Sequence, residues 1–261
     1  MDHLGNDLMI PFIYASNNEN GYRCALNLRD YNCVPELLLL HPLGKGKMQD
    51  EIRSVFPDVP CVYWGSDLKT LEDDYGVDLS SLILLSINFG YLFNNRDLAL
   101  FRDAWNLHIG YLPWNRGSNP NVWSIIEGTP AGVTLHRISE KLDGGEILKA
   151  ERVDVFSWDT GYTLYFRLVS KSEEMIQYIA DLLHERESLK SFLPDSPGSF
   201  HCLRDFEEVK LINLDSVDSF KGFIDRVRAL TFPPYKNAYF LDENGRKVFV
   251  DIVLSPEDDL E

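Results

Sequence analysis

Asn106 and His108 stand two positions apart at the end of a stretch, residues 104–108, that reads as a strand. Strand side chains alternate with a period of two, so the amide and the imidazole leave on the same side. After them runs Ile109-Gly110-Tyr111-Leu112-Pro113-Trp114-Asn115-Arg116-Gly117, a loop rich in Gly, Pro and Trp. Loops carried by rigid strands are where polar sites are usually built. An imidazole there suits acid–base work, because its unperturbed pKa of about 6.5 lies near neutrality. A second block follows. Residues 132–138 alternate like a strand, and Asp143-Gly144-Gly145 is a flexible turn able to carry a carboxylate back over the sheet edge. Spacing alone leaves two readings open: a turn-capping Asp143 with a plain polar His108, or one shared site.

Other chemistries find little support. His3, His41, His108, His136, His184 and His201 form no HxxH or HxxxH pair and no Cys/His spacing suited to zinc, so no metal is expected. The sequence has no GxSxG elbow and no GxxxxGK[ST] loop. After the first predicted strand stands Ser16-Asn17-Asn18-Glu19-Asn20-Gly21 in place of GxGxxG, which argues against a dinucleotide cofactor.

The elements that must position these side chains alternate. Strands are predicted at residues 8–14 (weakened by Pro11), 34–40, 62–64 and 82–87, with helices near 22–30, 48–55 and 68–75. Such alternation implies crossover units, a mainly parallel sheet and an α/β fold. Residues 160–189 carry one apolar helical face, Leu164, Leu168, Met175, Ile179 and Leu182, with Asp159-Thr160 as its cap. Residues 193–198 read as a linker. Beyond it come a helix near 217–229, a Pro233-Pro234 break, and strands at 238–241 and 247–253 joined by an Asn-Gly turn. Residues 1–7 and the acidic tail from Pro256 are expected to be frayed. The expected domains are 8–190, with the catalytic residues, and 200–254, a small α+β piece.

The 261 residues hold 41 Asp+Glu against 25 Lys+Arg, a net charge of −16, which argues against a surface that tracks nucleic-acid phosphates. At 44% hydrophobic and 12% aromatic the chain can bury a real core. No apolar run approaches the roughly 18 residues of a membrane span, and no signal pattern opens the chain. Cys24, Cys33, Cys61 and Cys202 are expected to be buried thiols, so the expectation is a cytoplasmic protein without membrane or nucleic-acid partners.

The block NLHIGYLPWNRG, with the later PNVWSIIEGTPAGVTLHRISEKLDGGEIL, resembles the core signature of the folate-dependent formyltransferases, Asn-x-His-x-Ser-x-Leu-Pro followed by Asp-Thr-Gly. The resemblance implies a Rossmann-like formyltransferase fold, 10-formyltetrahydrofolate as co-substrate, and Asn106, His108 and Asp143 as the catalytic trio. It implies folate contacts from Phe89, Gly90 and Tyr91 and from Gly110, Leu112, Pro113 and Gly117. Three departures are visible: Ile109-Gly110 for Pro-Ser, Gly144 for Thr, and the first turn, which lacks its glycines. The tract from Arg226 to Tyr235 is similar to the C-terminal motif of nucleotide-sugar N-formyltransferases. This implies a dTDP-linked 3- or 4-amino-dideoxyhexose substrate for O-antigen or other surface-glycan synthesis, a homodimer through the C-terminal region, and substrate contacts from Asn115, Arg116, Arg228 and Tyr235. The transfer-RNA enzymes need a basic face that is missing here, and the family's hydrolases resemble two-domain chains with an added N-terminal module. The glycinamide ribonucleotide enzyme and a non-catalytic Rossmann-like binding protein remain the alternatives.

The chemistry of amine formylation fits the trio. An amide can donate to the oxygen that gains charge, and an imidazole can take the amine proton. A carboxylate beside the ring fixes its tautomer. His136 falls outside the trio, and its replacement is expected to change the rate only a few-fold.

Overall fold

Strands β1 (Phe12–Ser16), β2 (Leu37–Leu40) and β4 (Ile83–Ile87) bury every residue, the pattern of strands covered on both faces. The computed structural model describes residues 9–257, so residues 1–8, including His3, and tail residues 258–261 lie outside the described residues. The chain continues through helices α1 (Glu19–Asp30), α2 (Gln49–Val55), α3 (Thr70–Tyr75) and α4 (Asn95–Leu98), strand β3 (Cys61–Tyr63) and strand β5 (Asp103–His108). Then come β6 (Arg116–Gly117), α5 (Pro120–Ile126), β7 (Ala131–Arg137), β8 (Ile147–Val153) and α6 (Gly161–Leu183). The C-terminal part holds β9 (Phe200–His201), α7 (Leu203–Val209), α8 (Phe220–Leu230), β10 (Tyr239–Leu241) and β11 (Lys247–Phe249).

Two units emerge. The first comprises Met1–His108, Thr134–Lys149 and Ser172–Leu193; the second comprises Ile109–Val133, Ala150–Lys171 and Pro194–Glu261. The sheet runs in the order β3-β2-β1-β4-β5-β7-β8. Strands β1 to β5 pair in parallel, and β7 returns antiparallel to β5. The mainly parallel α/β reading therefore stands. Strand order reverses beside β1 and β4, and in such sheets ligands bind beyond the carboxyl ends of the strands. Each fully buried Leu of β2 is worth about 1.5–3 kcal/mol relative to exposure.

Local chemistry moves several expected boundaries. Helix α1 starts at Glu19, earlier than residue 22, because the Asn18 side chain accepts from Gly21 N at 3.1 Å and caps it. Strand β1 starts after Pro11, which has no N–H to give a ladder. Helix α6 ends at Leu183, short of the predicted 189, while Thr160 and Thr163 exchange hydroxyl–backbone bonds at its start. Cys24 and Cys33 are buried as expected, whereas Cys61 and Cys202 are only half-buried.

In the second unit the expected linker ends in structure, since β9 pairs in parallel with β6. Gly117 makes this pairing possible: a Cβ there would sit 2.3 Å from the His201 carbonyl oxygen, and its φ is +91°. Helix α7 was not anticipated. The predicted hairpin is present, with Gly245 at φ +75° in its turn. Helix α8 buries Val227, Ala229 and Leu230 and leaves Phe220, Phe223 and Ile224 exposed at helical spacing.

Candidate active site

Strand β5 carries Asn106 and His108 to its carboxyl end, and the antiparallel register sets His136 of β7 opposite Asn106 and Thr134 opposite His108. The turn between β7 and β8 then brings Asp143 back. Asp143 takes a left-handed φ of +47°, a conformation that Asp tolerates better than most residues. Gly145 lets the turn close, because a Cβ there would meet the Arg137 carbonyl oxygen at 1.9 Å.

The result is one carboxylate, its side chain only 9% exposed, facing two imidazoles. Asp143 Oδ2 lies 3.6 Å from His108 Nδ1, and Asp143 Oδ1 lies 3.5 Å from His136 Nε2. Both separations lie just beyond hydrogen-bond length, as in many catalytic pairs before substrate tightens them. Asn106 Nδ2 donates to His136 Nε2 at 3.2 Å, and His136 Nδ1 donates to the Arg137 carbonyl at 2.8 Å. His108 and His136 are buried, while Asn106 is half-buried. Arg137 is engaged elsewhere, with Asp103 at 3.0 Å and with Glu146. The Ser191 hydroxyl and the Arg137 guanidinium hold the Glu146 carboxyl below its ordinary range.

The predicted trio thus comes together in space, and His136 joins it. His136 was expected outside the matched trio, and the structure places it against Asn106 and Asp143. The alternation of residues 132–138 was visible, but the register that puts His136 opposite Asn106 is set by strand pairing across 30 positions.

The expected folate-contact residues fall in both units. In the first, Phe89 is buried: its ring stacks on Phe93 at 5.5 Å, and its carbonyl accepts from His41 Nε2. Gly90 has φ +84°, and half-buried Tyr91 stacks on Trp64 at 5.5 Å. In the second, Gly110 and Leu112 are buried and Pro113 is half-buried.

Two expected substrate residues are scaffold instead. Asn115 is fully buried; its Nδ2 donates to Ser124 Oγ at 2.9 Å and Thr129 Oγ1 at 2.7 Å, and its Oδ1 accepts from Ser199 Oγ at 2.9 Å. With both Nδ2 donors spent inside the fold and the side chain fully buried, no N–H of this amide is left for a substrate. Arg228 is buried too. Its guanidinium donates to Asp225 at 2.7 Å and to the carbonyls of Asp159 at 2.8 Å and Phe156 at 3.1 Å. It ties α8 to residues 156–159 and does not reach for a pyrophosphate. Arg116 stays half-buried over the Phe200 ring at 5.9 Å, and Tyr235 is exposed. Among the described residues no group of three or more His, Cys, Asp or Glu could hold a metal ion.

Residues 75–179 match the formyl transferase family model, and residues 205–256 match that of the N-formyltransferase dimerization C-terminal domain. A dTDP-4-amino-4,6-dideoxyglucose formyltransferase of Mycobacterium tuberculosis is 38% identical over 152 residues, which are 58% of this chain and 64% of that protein's length. The crystal structure of a 4-N formyltransferase from Francisella tularensis superposes with a TM-score of 0.78 at 26% identity, covering 96% of this chain and 100% of that one. The formyltransferase PseJ from Anoxybacillus kamchatkensis, solved in complex with UDP-4,6-dideoxy-4-formamido-L-AltNAc and tetrahydrofolate, is 31% identical with a TM-score of 0.50, over 66% of this chain and 88% of its own. With both matched segments and the Asn-His-Asp site in place, the chain belongs to the formyl transferase family.

Proposed function

We propose that this protein transfers a formyl group from 10-formyltetrahydrofolate to the amino group of a nucleotide-linked amino-dideoxyhexose, with a dTDP-linked 4-amino sugar as the first choice. The observation that carries the reading is the Asp143 carboxylate set 3.5–3.6 Å from two imidazoles, with the Asn106 amide beside them. The likeness to the M. tuberculosis enzyme favours dTDP and the 4-amino position, and the resemblance of the C-terminal tract favours a sugar over glycinamide ribonucleotide.

The folate supplies the formyl carbon, and the chain's own side chains do the rest. His108 presents Nδ1 to Asp143, which leaves Nε2 to take the proton from the attacking amine. The Asn106 amide donates to the oxygen that gains charge, a contribution typically worth about 10²–10³ in rate. The proton on His108 then passes to the departing folate nitrogen, so no covalent enzyme intermediate is required.

Residues 8–190 are assigned as the catalytic domain and 200–254 as the dimer contact and the edge of the sugar-nucleotide site. Gly90, Tyr91, Gly110, Leu112 and Pro113 are assigned to folate, with Phe89 and Gly117 contributing backbone only; Arg116 and Tyr235 are assigned to the sugar nucleotide. The exposed Phe220, Phe223 and Ile224 face of α8 and the dimerization-domain match support a homodimer. Cytoplasmic action is proposed on the four free thiols; among the described residues no helix is long and apolar enough to cross a membrane. Incubation with 10-formyltetrahydrofolate and a panel of dTDP-, UDP- and GDP-linked amino sugars tests the activity. A mass gain of one formyl group is expected on a dTDP-linked 4-amino sugar, and no gain on any member would refute the assignment.

A further inference from the structure

We propose that His136 is a positioning residue: its uncharged form, protonated at Nδ1, sets which side of the Asn106 amide faces the reacting oxygen. The proposal rests on the formyl-transfer reading above.

The argument starts from a hydrogen bond with only one possible direction. His136 Nδ1 lies 2.8 Å from the Arg137 carbonyl, and a carbonyl cannot donate, so Nδ1 carries a proton in every state. In the neutral ring Nε2 is then a bare acceptor, and it receives one Nδ2–H of Asn106 at 3.2 Å. This pins the amide with its nitrogen toward His136 and leaves the second Nδ2–H for the formyl oxygen. A charged His136 would present Nε2–H to that same amide nitrogen, donor against donor. Asn106 would have to turn over, bringing Oδ1 inward and taking its donors from the reaction. The protonation of one imidazole therefore decides whether its neighbour is a donor or an acceptor.

Asp143 is the carboxylate that faces both rings, at 3.5 Å from His136 and 3.6 Å from His108, whose centroids are 6.3 Å apart. From β5 the groups facing His136 are Asn106 and His108, and from the β7–β8 turn it is Asp143. On its own strand Arg137 is neutralised by Asp103 and Glu146. When His108 takes the amine proton, Asp143 balances that charge, and a second cation on His136 would be opposed by the first. Acidification that charges both rings costs the donor as well as the base.

Two variants and one spectrum test this. His136→Phe keeps a ring of similar size and removes the acceptor, so kcat should fall about 10–100-fold with KM for both substrates little changed, less than the roughly 10²–10³ of losing the oxyanion donor outright, because Asn106 is still present but no longer held. Combined with Asn106→Ala it should cost nothing beyond Asn106→Ala alone, because both remove the same function. His136→Gln can offer Oε1 where Nε2 stood; it should retain kcat within about threefold and lose one ionisation from the acid limb of the pH profile. Wild-type kcat in His136→Phe, multiplying losses in the double variant, or a His136→Gln enzyme as poor as His136→Phe overturns the proposal. The ¹⁵N spectrum of the full-length protein needs no turnover. In its uncharged form His136 should show a protonated Nδ1 and a bare Nε2, and the Asn106 side-chain amide should shift over a pH titration of the protein. An Nε2–H tautomer, or an amide indifferent to the titration, also overturns it. Should wild type formylate no sugar while the spectrum behaves as expected, the functional reading fails and the positioning geometry stands.

Discussion

Gly145→Ala probes how closely the site depends on its turn. An alanine Cβ at this position would lie 1.9 Å from the Arg137 carbonyl oxygen and 2.8 Å from its carbon, against the 3.4 Å of an ordinary contact. The shortfall is 3.4 − 1.9 = 1.5 Å, and the obstruction is backbone. Strand β7 is paired with β5 at four successive positions and is buried along most of its length, whereas Ser139 to Gly144 are exposed or half-exposed. The turn must therefore give way. Asp143 is two residues from the clash, so its 3.5 and 3.6 Å contacts to the imidazoles would open by an appreciable part of that shift. Misplacement of about 1 Å can cost about 10²-fold in rate, and an overpacked site costs about 1–3 kcal/mol of stability. Initial rates of formyl transfer at saturating substrates, with a urea titration of the same sample, measure both. Gly144→Ala is the comparison, since the atoms nearest its Cβ belong to the Lys141 side chain, at 2.7–2.9 Å, and not to backbone, so it should leave the rate closer to wild type. A Gly145→Ala protein destabilised as expected yet within threefold of the wild-type rate (well inside the loss expected from misplacement) would refute the dependence of catalysis on the Asp143 position.

Replacement of His108 by Asn should leave ligand binding intact by calorimetry and lower formyl transfer by about 10²–10⁴, and Asn106→Ala by about 10²–10³; a fully active His108→Asn enzyme would remove the general base. Asn115→Ala should leave KM for the sugar nucleotide unchanged but destabilise the fold by about 1–3 kcal/mol in chemical denaturation, because Ser124, Thr129 and Ser199 lose a buried partner. Asp159 predicts an acid effect. Burial opposes its charge, but Arg167 at 2.7 and 2.8 Å, the Phe156 N–H and the Thr163 hydroxyl outweigh burial and hold its carboxyl below the usual range. A depressed folded-state pKa contributes stability that is complete above the unfolded value of about 3.9 and is lost as pH falls through the folded one. Asp159→Asn should therefore be less stable than wild type at pH 7, and the two should converge below about pH 4 in thermal melts. The Cys33 thiol, pushed up to about 11 by burial, should resist alkylation by iodoacetamide at pH 8 in the folded protein.

Periodicity and motif were enough for much of this protein. The apolar runs of β1, β2 and β4, the alternation with helices and the Asn-Gly hairpin are local patterns, and local patterns survive being read one window at a time. Asn106 and His108 were legible together because two positions on one strand share a side, and Asp143 was legible because its turn and block resemble a known signature. Two roles were beyond reach. Asn115 and Arg228 look like ligand-binding side chains in sequence, and only the packed structure shows the Asn115 amide bonded to Ser124, Thr129 and Ser199, and the Arg228 guanidinium bonded to Asp225 and the carbonyls of Phe156 and Asp159. The place of His136 against Asn106 and Asp143 was also not legible. Its place depends on antiparallel register between β5 and β7 and on a turn that closes only at Gly145. A residue's type states which bonds it can make, but which partner arrives is decided by chain segments tens of positions away, once burial has made every unpaired polar group costly.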